Sequence, residues 1–363
     1  MATTILTEFE SIHLSSHLPE EVEIETDASS LEVSIYLNNM LAFRSVYYPF
    51  LQVVTIRDIR SIVEYDMLNR KLTLATLKIV AKEPITYTQE TMYDEYGNIH
   101  ISFDDPEVEA ISDTVENIKV IYCNMKTNMD SESFLSNNFL TTRKSMLLHR
   151  TGKLKLYNHT KGNARSDNYA LIYYSLNGNT DDISVLNFDY NSVQSTIEDI
   201  VLIYLSHQTF KQVVDNRYDV NCIIRGVEYH IGNRIFNIYF TDEEPTDEFV
   251  FLNAFNLQER FYLYGATTVK TEADHSEAVC GRQSQYYDES VKVKHEVETA
   301  PMPYEEAKWI NQMLTSKLVQ RPVGNNEYVQ VLISDITSEV SNSDKDLIRI
   351  KFSWKYAEGV EWI

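Results

Sequence analysis

Apolar residues recur at every second position in residues 22–26 and again in Leu31–Leu37, the period that turns one face of an extended strand toward a core. Tyr47-Tyr48-Pro49-Phe50 interrupts this pattern, and a short extended run follows at 53–56. The period then changes. Ile59, Ile62, Val63 and Met67 share one face of a helix expected over 58–68, with Asp58 as its cap or first-turn acid. Residues 72–80 return to extended structure, and 93–98 read as a hairpin tip. The acidic, proline-bearing stretch 104–116 reads as a linker, so a first β-rich module is expected over 1–113.

A second β-rich module is expected over 114–245. It opens on the apolar run 118–122, has short elements at 134–140 and 153–157, and carries a strand at 169–176 ended by Asn177-Gly178-Asn179. Residues 193–214 fit two patterns: Ile197, Ile200, Val201 and Tyr204 suit a helix, whereas 200–205 alone suit a buried strand. Residues 220–231 and 234–240 read as strands paired about Gly232-Asn233.

The third module, 246–363, is the most legible. Strands at 249–252 and 261–264 precede an alternating run at 290–298. There Val291, Val293, His295 and Val297 share one face, and Lys292, Lys294, Glu296 and Glu298 the other. His295 is thus expected in a core or an interface. A helix near 303–318 opens on Pro303, with Glu305 and Glu306 at its positive end and Lys317 at the other. Strands at 328–333 and 347–356 close the module. In the latter, Ile348, Ile350, Phe352, Trp354 and Tyr356 face inward, and Arg349, Lys351, Ser353 and Lys355 outward. A long acidic hairpin is expected between the aromatic-rich strands and the helix; its segment 267–289 is polar, charged and without a clear period, and is expected to serve at least in part as an assembly arm. The fold class expected is mainly β: two or three sandwich- or barrel-like modules in series with a few short helices.

Composition agrees and narrows the function. The 363 residues are 43% apolar, enough for real cores, and 24 Tyr with 15 Phe against 10 Gly favour sheet. A formal charge of −22 opposes binding to phosphate backbones and anionic membranes, so neither nucleic acid nor membrane is an expected partner. Cys123, Cys222 and Cys280 are odd in number and contain no CxxC, which points to free, largely buried thiols. The first 25 residues lack a basic stretch followed by a continuous apolar one, so synthesis without a signal peptide in a bacterial cytoplasm is expected. The Asn158-His159-Thr160 sequon reads as chance in that setting.

Motifs that would carry catalysis are missing from the sequence. Thr151-Gly152-Lys153 lacks the leading glycine of a phosphate loop, since Leu147 stands there. No GxGxxG or GxSxG occurs. Glu228 and His230 share a strand face but need further ligands to hold a metal. Asn177, Asn179 and Asp181 have calcium-loop spacing, yet Phe188 occupies the position of the closing acid. Acid pairs such as Asp104-Asp105 and Glu243-Glu244 are what so acidic a chain supplies by chance. No catalytic residue, metal or cofactor is therefore assigned, and the chain is not expected to be an enzyme.

Three blocks carry a resemblance: VTIRDIRSIVEYDMLNRKLTLATLKI at 54–79, the long block DEFVFLNAFNLQERFYLYGATTVKTEADHSEAVC… at 247–314, and SEVSNSDKDLIRIKFSWKYAEG at 338–359. Together they resemble a family of tail- or baseplate-like structural proteins of Bacteroidetes gut phages and prophages. The resemblance implies a virion subunit of the tail, baseplate or neck that works by assembly with copies of itself and with other virion proteins. Candidate contact surfaces are the basic outer face of the last strand (Arg349, Lys351, Lys355) against the acidic loop carrying Glu243 and Glu244, together with Tyr262 and Tyr264. The alternatives are a receptor- or carbohydrate-binding module gripping through Tyr262, Tyr264, Tyr286 and Tyr287, and, less favoured, a carboxylate hydrolase.

Overall fold

The alternating stretches become strands, and the chain is mainly β with several separate sheets. The computed structural model describes residues 3–84, 89–93, 99–103, 112–160, 168–176, 182–190, 195–197, 199–218, 222–324, 327–337 and 347–358. The chain divides into two compact units, Met1–Glu132 and Ser133–Ile363.

Among the described residues the strands of the first unit are β1 (Thr3–Ile5), β2 (Ile12–Leu14), β3 (Glu21–Thr26), β4 (Leu31–Leu37), β5 (Met40–Tyr47), β6 (Val53–Arg57), β7 (Leu74–Lys82), β8 (Gln89–Tyr93), β9 (Ile99–Phe103) and β10 (Ser112–Ile121). They form a three-stranded sheet, β1-β3-β6, and a five-stranded sheet, β2-β10-β7-β4-β5, while among the described residues β8 and β9 pair only with each other. Val22, Ile24 and Ile56 of the first sheet meet Val33, Ile35, Leu77 and Val120 of the second in one core, the sandwich solution for two half-apolar sheets. Helix α1 (Ile59–Asn69) buries Ile59, Val63 and Met67. Asp58 does stand at its N-cap, but with φ of 61° and no capping hydrogen bond from its side chain. The expected module end near 113 falls inside β10, which pairs with β7 on one side and β2 on the other. Of the expected linker, 112–116 is strand and 104–111 lie outside the described residues. The hairpin tip 94–98 also lies outside them, between β8 and β9, whose register Tyr93↔Ile99 fits a hairpin.

The second unit opens on helix α2 (Ser131–Asn137), which spans the division in sequence. Next come β11 (Ser145–His149), β12 (Lys153–His159), β13 (Asn168–Leu176), β14 (Ser184–Asp189), β15 (Ser195–Ile197), β16 (Ile200–Ser206), helix α3 (His207–Tyr218), β17 (Cys222–Ile231) and β18 (Arg234–Thr241). The sheets β11-β18-β17-β13-β14 and β12-β16-β15 share a core with Phe210 and Val214 of α3. The ambiguous stretch thus resolves in sequence order. Its apolar start is the strand β16, and the helix begins only at His207. Asn158 of the sequon is fully buried in β12.

The remaining strands are β19 (Asp247–Leu252), β20 (Gln258–Leu263), β21 (Gly265–Cys280), β22 (Gln283–Thr299), β23 (Val319–Pro322), β24 (Tyr328–Thr337) and β25 (Lys351–Tyr356). They form one seven-stranded sheet in the order β20-β19-β23-β24-β25-β22-β21. Helix α4 (Tyr304–Thr315) lays Ala307, Trp309, Ile310, Met313 and Leu314 on that sheet, against Phe249, Phe251, Phe352 and Trp354. Pro303 is its N-cap residue, and Glu305 and Glu306 lie in its first turn, where the helix dipole favours them. Lys317 lies beyond its end. Among the described residues no helix is long and apolar enough to cross a membrane.

Candidate functional site

β21 and β22 pair over their whole length, from Gly265↔Thr299 at the root to Cys280↔Gln283 at the tip. The tip is a two-residue turn, Gly281-Arg282. Only its glycine has positive φ, at 69°, which is the II′ geometry suited to a twisted hairpin. At the root a Cβ on Gly265 would collide with the carbonyl oxygen of Glu298, so glycine lets the two strands close. β22 pairs with β25 through His295–Glu298. Beyond that point, among the described residues, each of the two strands has only the other as a backbone pairing partner. The twelve residues from Gln283 to Lys294 carry this ribbon about 40 Å at about 3.3 Å per residue.

The long hairpin expected here is present, and its segment 267–289, without a clear period in the sequence, is regular in structure. Val269, Thr271 and Ala273 lie opposite His295, Val293 and Val291, and this weakly apolar face continues the core face of the sheet into solvent. Two small or polar members of that row, Thr271 and Ala273, kept its period from being legible in the sequence. The opposite face is charged: Lys270 bonds Glu296 at 2.7 Å, and Lys294 bonds Asp335 at 2.6 Å. The Lys294 ammonium holds the Asp335 carboxyl below its usual range. Between Ser276 and Glu277 the register shifts, leaving Tyr287 as the extra residue of a bulge, while Tyr286 stacks on His275 at 4.6 Å. Val279, Tyr286 and Tyr287 are all about 70% exposed. Cys280, expected to be buried, is exposed at the tip, whereas Cys123 and Cys222 are buried.

The root is closely packed by contrast. His295 stacks on Trp354 with ring centres 3.8 Å apart and planes within 4°, and Trp354 packs edge-on against Phe249. Below it a buried polar cluster ties the core of β19–β25 to that of β11–β18. Asn253 donates to Glu259 at 2.6 Å and to the Leu140 carbonyl at 2.9 Å, and Trp309 Nε1 donates to the other Glu259 oxygen at 2.5 Å. Arg143 lies 3.9 Å over the Trp309 ring and bonds Glu306 at 2.7 Å. Burial pushes the Glu259 carboxyl up, and its hydrogen bonds pull against that shift. Sequence reasoning missed Glu259, although it shares the inward phase of Phe261 and Leu263 and so stood at a core position.

The surfaces read from the sequence fare unequally. Arg349, Lys351 and Lys355 are exposed as expected, yet Glu298 of β22 takes Lys351 at 3.1 Å and Arg349 at 3.4 Å. Lys351 is the main reason the Glu298 carboxyl lies low. In the acidic loop, Glu243 and Glu244 are exposed, while its neighbours Asp242, Asp247 and Glu248 pair with Arg150, Arg321 and Arg260. Tyr262 and Tyr264 are half-buried, and burial pushes the Tyr264 hydroxyl up to about 12. Glu228 and His230 bond each other at 2.6 Å. Among the described residues no three His, Cys, Asp or Glu side chains converge as a metal site would require. Asp104, Asp105, Asn177, Asn179 and Asp181 lie outside the described residues.

Two clefts bear on catalysis. One, lined by Arg143, Lys153, Lys155, Glu259 and Arg260, has room for about 20 Å³, enough for one water. The other is an open groove of about 260 Å³ on the outer face of β13, β17 and β18, with Glu228 as the one carboxylate among its described lining residues. Neither sets two acids face to face. No protein-family model and no curated protein matches the chain.

Proposed function

We propose that the chain is a structural subunit of a phage virion, a tail, baseplate or neck component that acts by assembly with copies of itself and with other virion proteins. The observation that carries this reading is the β21–β22 arm. It is a ribbon of about 40 Å with a weakly apolar face and an edge that no described strand pairs with. A two-stranded hairpin is marginal in water by itself, and a long open edge is a template for pairing with another chain. The resemblance to tail- and baseplate-like proteins adds weight, because its longest block, 247–314, contains the whole arm together with β19, β20 and most of α4.

The test is the mass of the purified protein by light scattering over a concentration series, beside a variant in which 270–294 are replaced by a short Gly-Asn turn. A discrete oligomer that the shortened arm abolishes is the expected result. A monomer at every concentration for the full chain overturns self-assembly. The exposure of Tyr286 and Tyr287 gives the carbohydrate- or receptor-binding alternative its one support, since Tyr262 and Tyr264 are half-buried. Glycan binding by a monomer, lost in Tyr286→Ala with Tyr287→Ala, is the result that would establish it.

A further inference from the structure

The open edge of the arm carries a pairing register in its own sequence. Which residues face that edge follows from the root. The Tyr264 carbonyl accepts from the N–H of Ala300 across the ribbon, whereas the N–H of Thr299, opposite Gly265, donates to Ile350 on the far side. Backbone groups alternate sides along a strand, and the register does not shift before Ser276. Even-numbered residues of β21 up to 274 therefore bond β22. Thr267, Val269, Thr271, Ala273 and His275 turn their N–H and C=O groups to the open edge, where no described strand pairs with them.

Thr271 is the centre of the run Val269-Lys270-Thr271-Glu272-Ala273, which is complementary to itself when reversed. We infer that β21 pairs antiparallel with β21 of a second copy of this chain about a two-fold axis at Thr271, setting Lys270 of each copy against Glu272 of the other. This rests on the assembly reading above and gives it a partner and a contact. The interface is isologous, one patch meeting itself. In this register Val269 and Ala273 form hydrogen-bonded pairs on the weakly apolar face. Lys270 and Glu272 take the positions between, where opposed Cα atoms approach to about 4.5 Å and opposite charges stabilise. Lys270 is already held on that face by Glu296 of its own chain. Moving the axis one residue either way sets two lysines or two glutamates against each other, so charge selects the register.

Cys280 supplies the readout, because the other two cysteines are buried. It lies nine residues beyond Thr271, and the two arms run in opposite directions. Nitroxide labels on Cys280 of the full-length protein should therefore stand about 60 Å apart by pulsed dipolar spectroscopy, at about 3.3 Å per residue. Each one-residue shift of the axis changes that distance by about 7 Å. In parallel, K270E and E272K should each weaken self-association roughly tenfold. An equimolar mixture of the two should restore it, because the reversed charges then face their complements across the axis. That recovery also excludes misfolding as the cause of either loss. An oligomer with a different label distance, or variants that stay apart when mixed, overturns the edge pairing and leaves the assembly reading standing. A wild-type chain that stays monomeric overturns both.

Discussion

Val291 and His295 lie four residues apart on the same face of β22, yet Val291 is 46% exposed and His295 only 6%. The difference is not in the residues, since the more apolar one is the more exposed. His295 has Trp354 of β25 opposite it, and β25 pairs with nothing beyond that point of β22. Alternation thus decides which face a side chain takes, while the neighbouring strand decides whether that face is covered. A strand that continues its apolar row past its last neighbour presents a surface that no described strand covers.

The largest expected effect breaks the covered end. Trp354→Ala removes a ring that touches His295, Phe249 and Tyr356 and should cost about 3–5 kcal/mol in urea unfolding. Next comes the buried cluster under the same sheet. Glu259→Gln sets an amide N–H against a donor from Asn253 or Trp309 and should cost about 1–3 kcal/mol at neutral pH. It should also change the pH profile. The folded state holds the Glu259 proton more tightly than the unfolded chain does. Its contribution is therefore full below about pH 4.3 and is lost as pH rises through the folded value. Unfolding curves above pH 4 should show this decline in the wild type and not in the variant.

At the open end the effects shrink. Gly281→Ala forces a side chain into left-handed backbone but meets no atom within 4 Å, so about 1 kcal/mol of local strain is expected. Local amide exchange at the tip should detect it where global unfolding does not. Val291→Ala should cost less than about 0.5 kcal/mol in the monomer. A cost near that of Trp354→Ala would mean that the arm is packed against its own subunit, and the contrast between root and arm would fail.

The same contrast explains what was legible in the sequence. Strands with one buried face, such as β3, β4, β13 and β19, declare themselves through their apolar phase. So did the inward set Ile348, Ile350, Phe352, Trp354 and Tyr356, all of it buried. β5 was missed because neither of its faces is deeply buried, and β23 because four residues are too few to show a period. The arm is legible as a long acidic hairpin, but the alternation within 267–289 is not, because solvent on both faces leaves selection for period 2 weak. Two compact units hold three apolar cores, and the expected boundary near 113 falls inside β10, whose exposed first half reads as linker. Glu259 stayed hidden for the opposite reason. A carboxylate in an apolar phase reads as an exception until its donors, Asn253 and Trp309, are seen to converge on it from other elements.

The smallest effect is expected where the sequence alone placed an interface. Lys351 and Arg349 share Glu298 on the outer face of their own sheet, and exposed pairs of this kind contribute little in water. Reversing Lys351 and Lys355 together should release Glu298, raising its carboxyl toward the ordinary range, and leave the oligomer mass unchanged. In the acidic loop, Asp242, Asp247 and Glu248 are already paired within the chain, while Glu243 and Glu244 are exposed. If the double reversal nonetheless dissolved the oligomer while K270E left it intact, the working surface would be the basic face of β25. The arm would then be an ornament of the fold, and covered and uncovered rows would have exchanged roles.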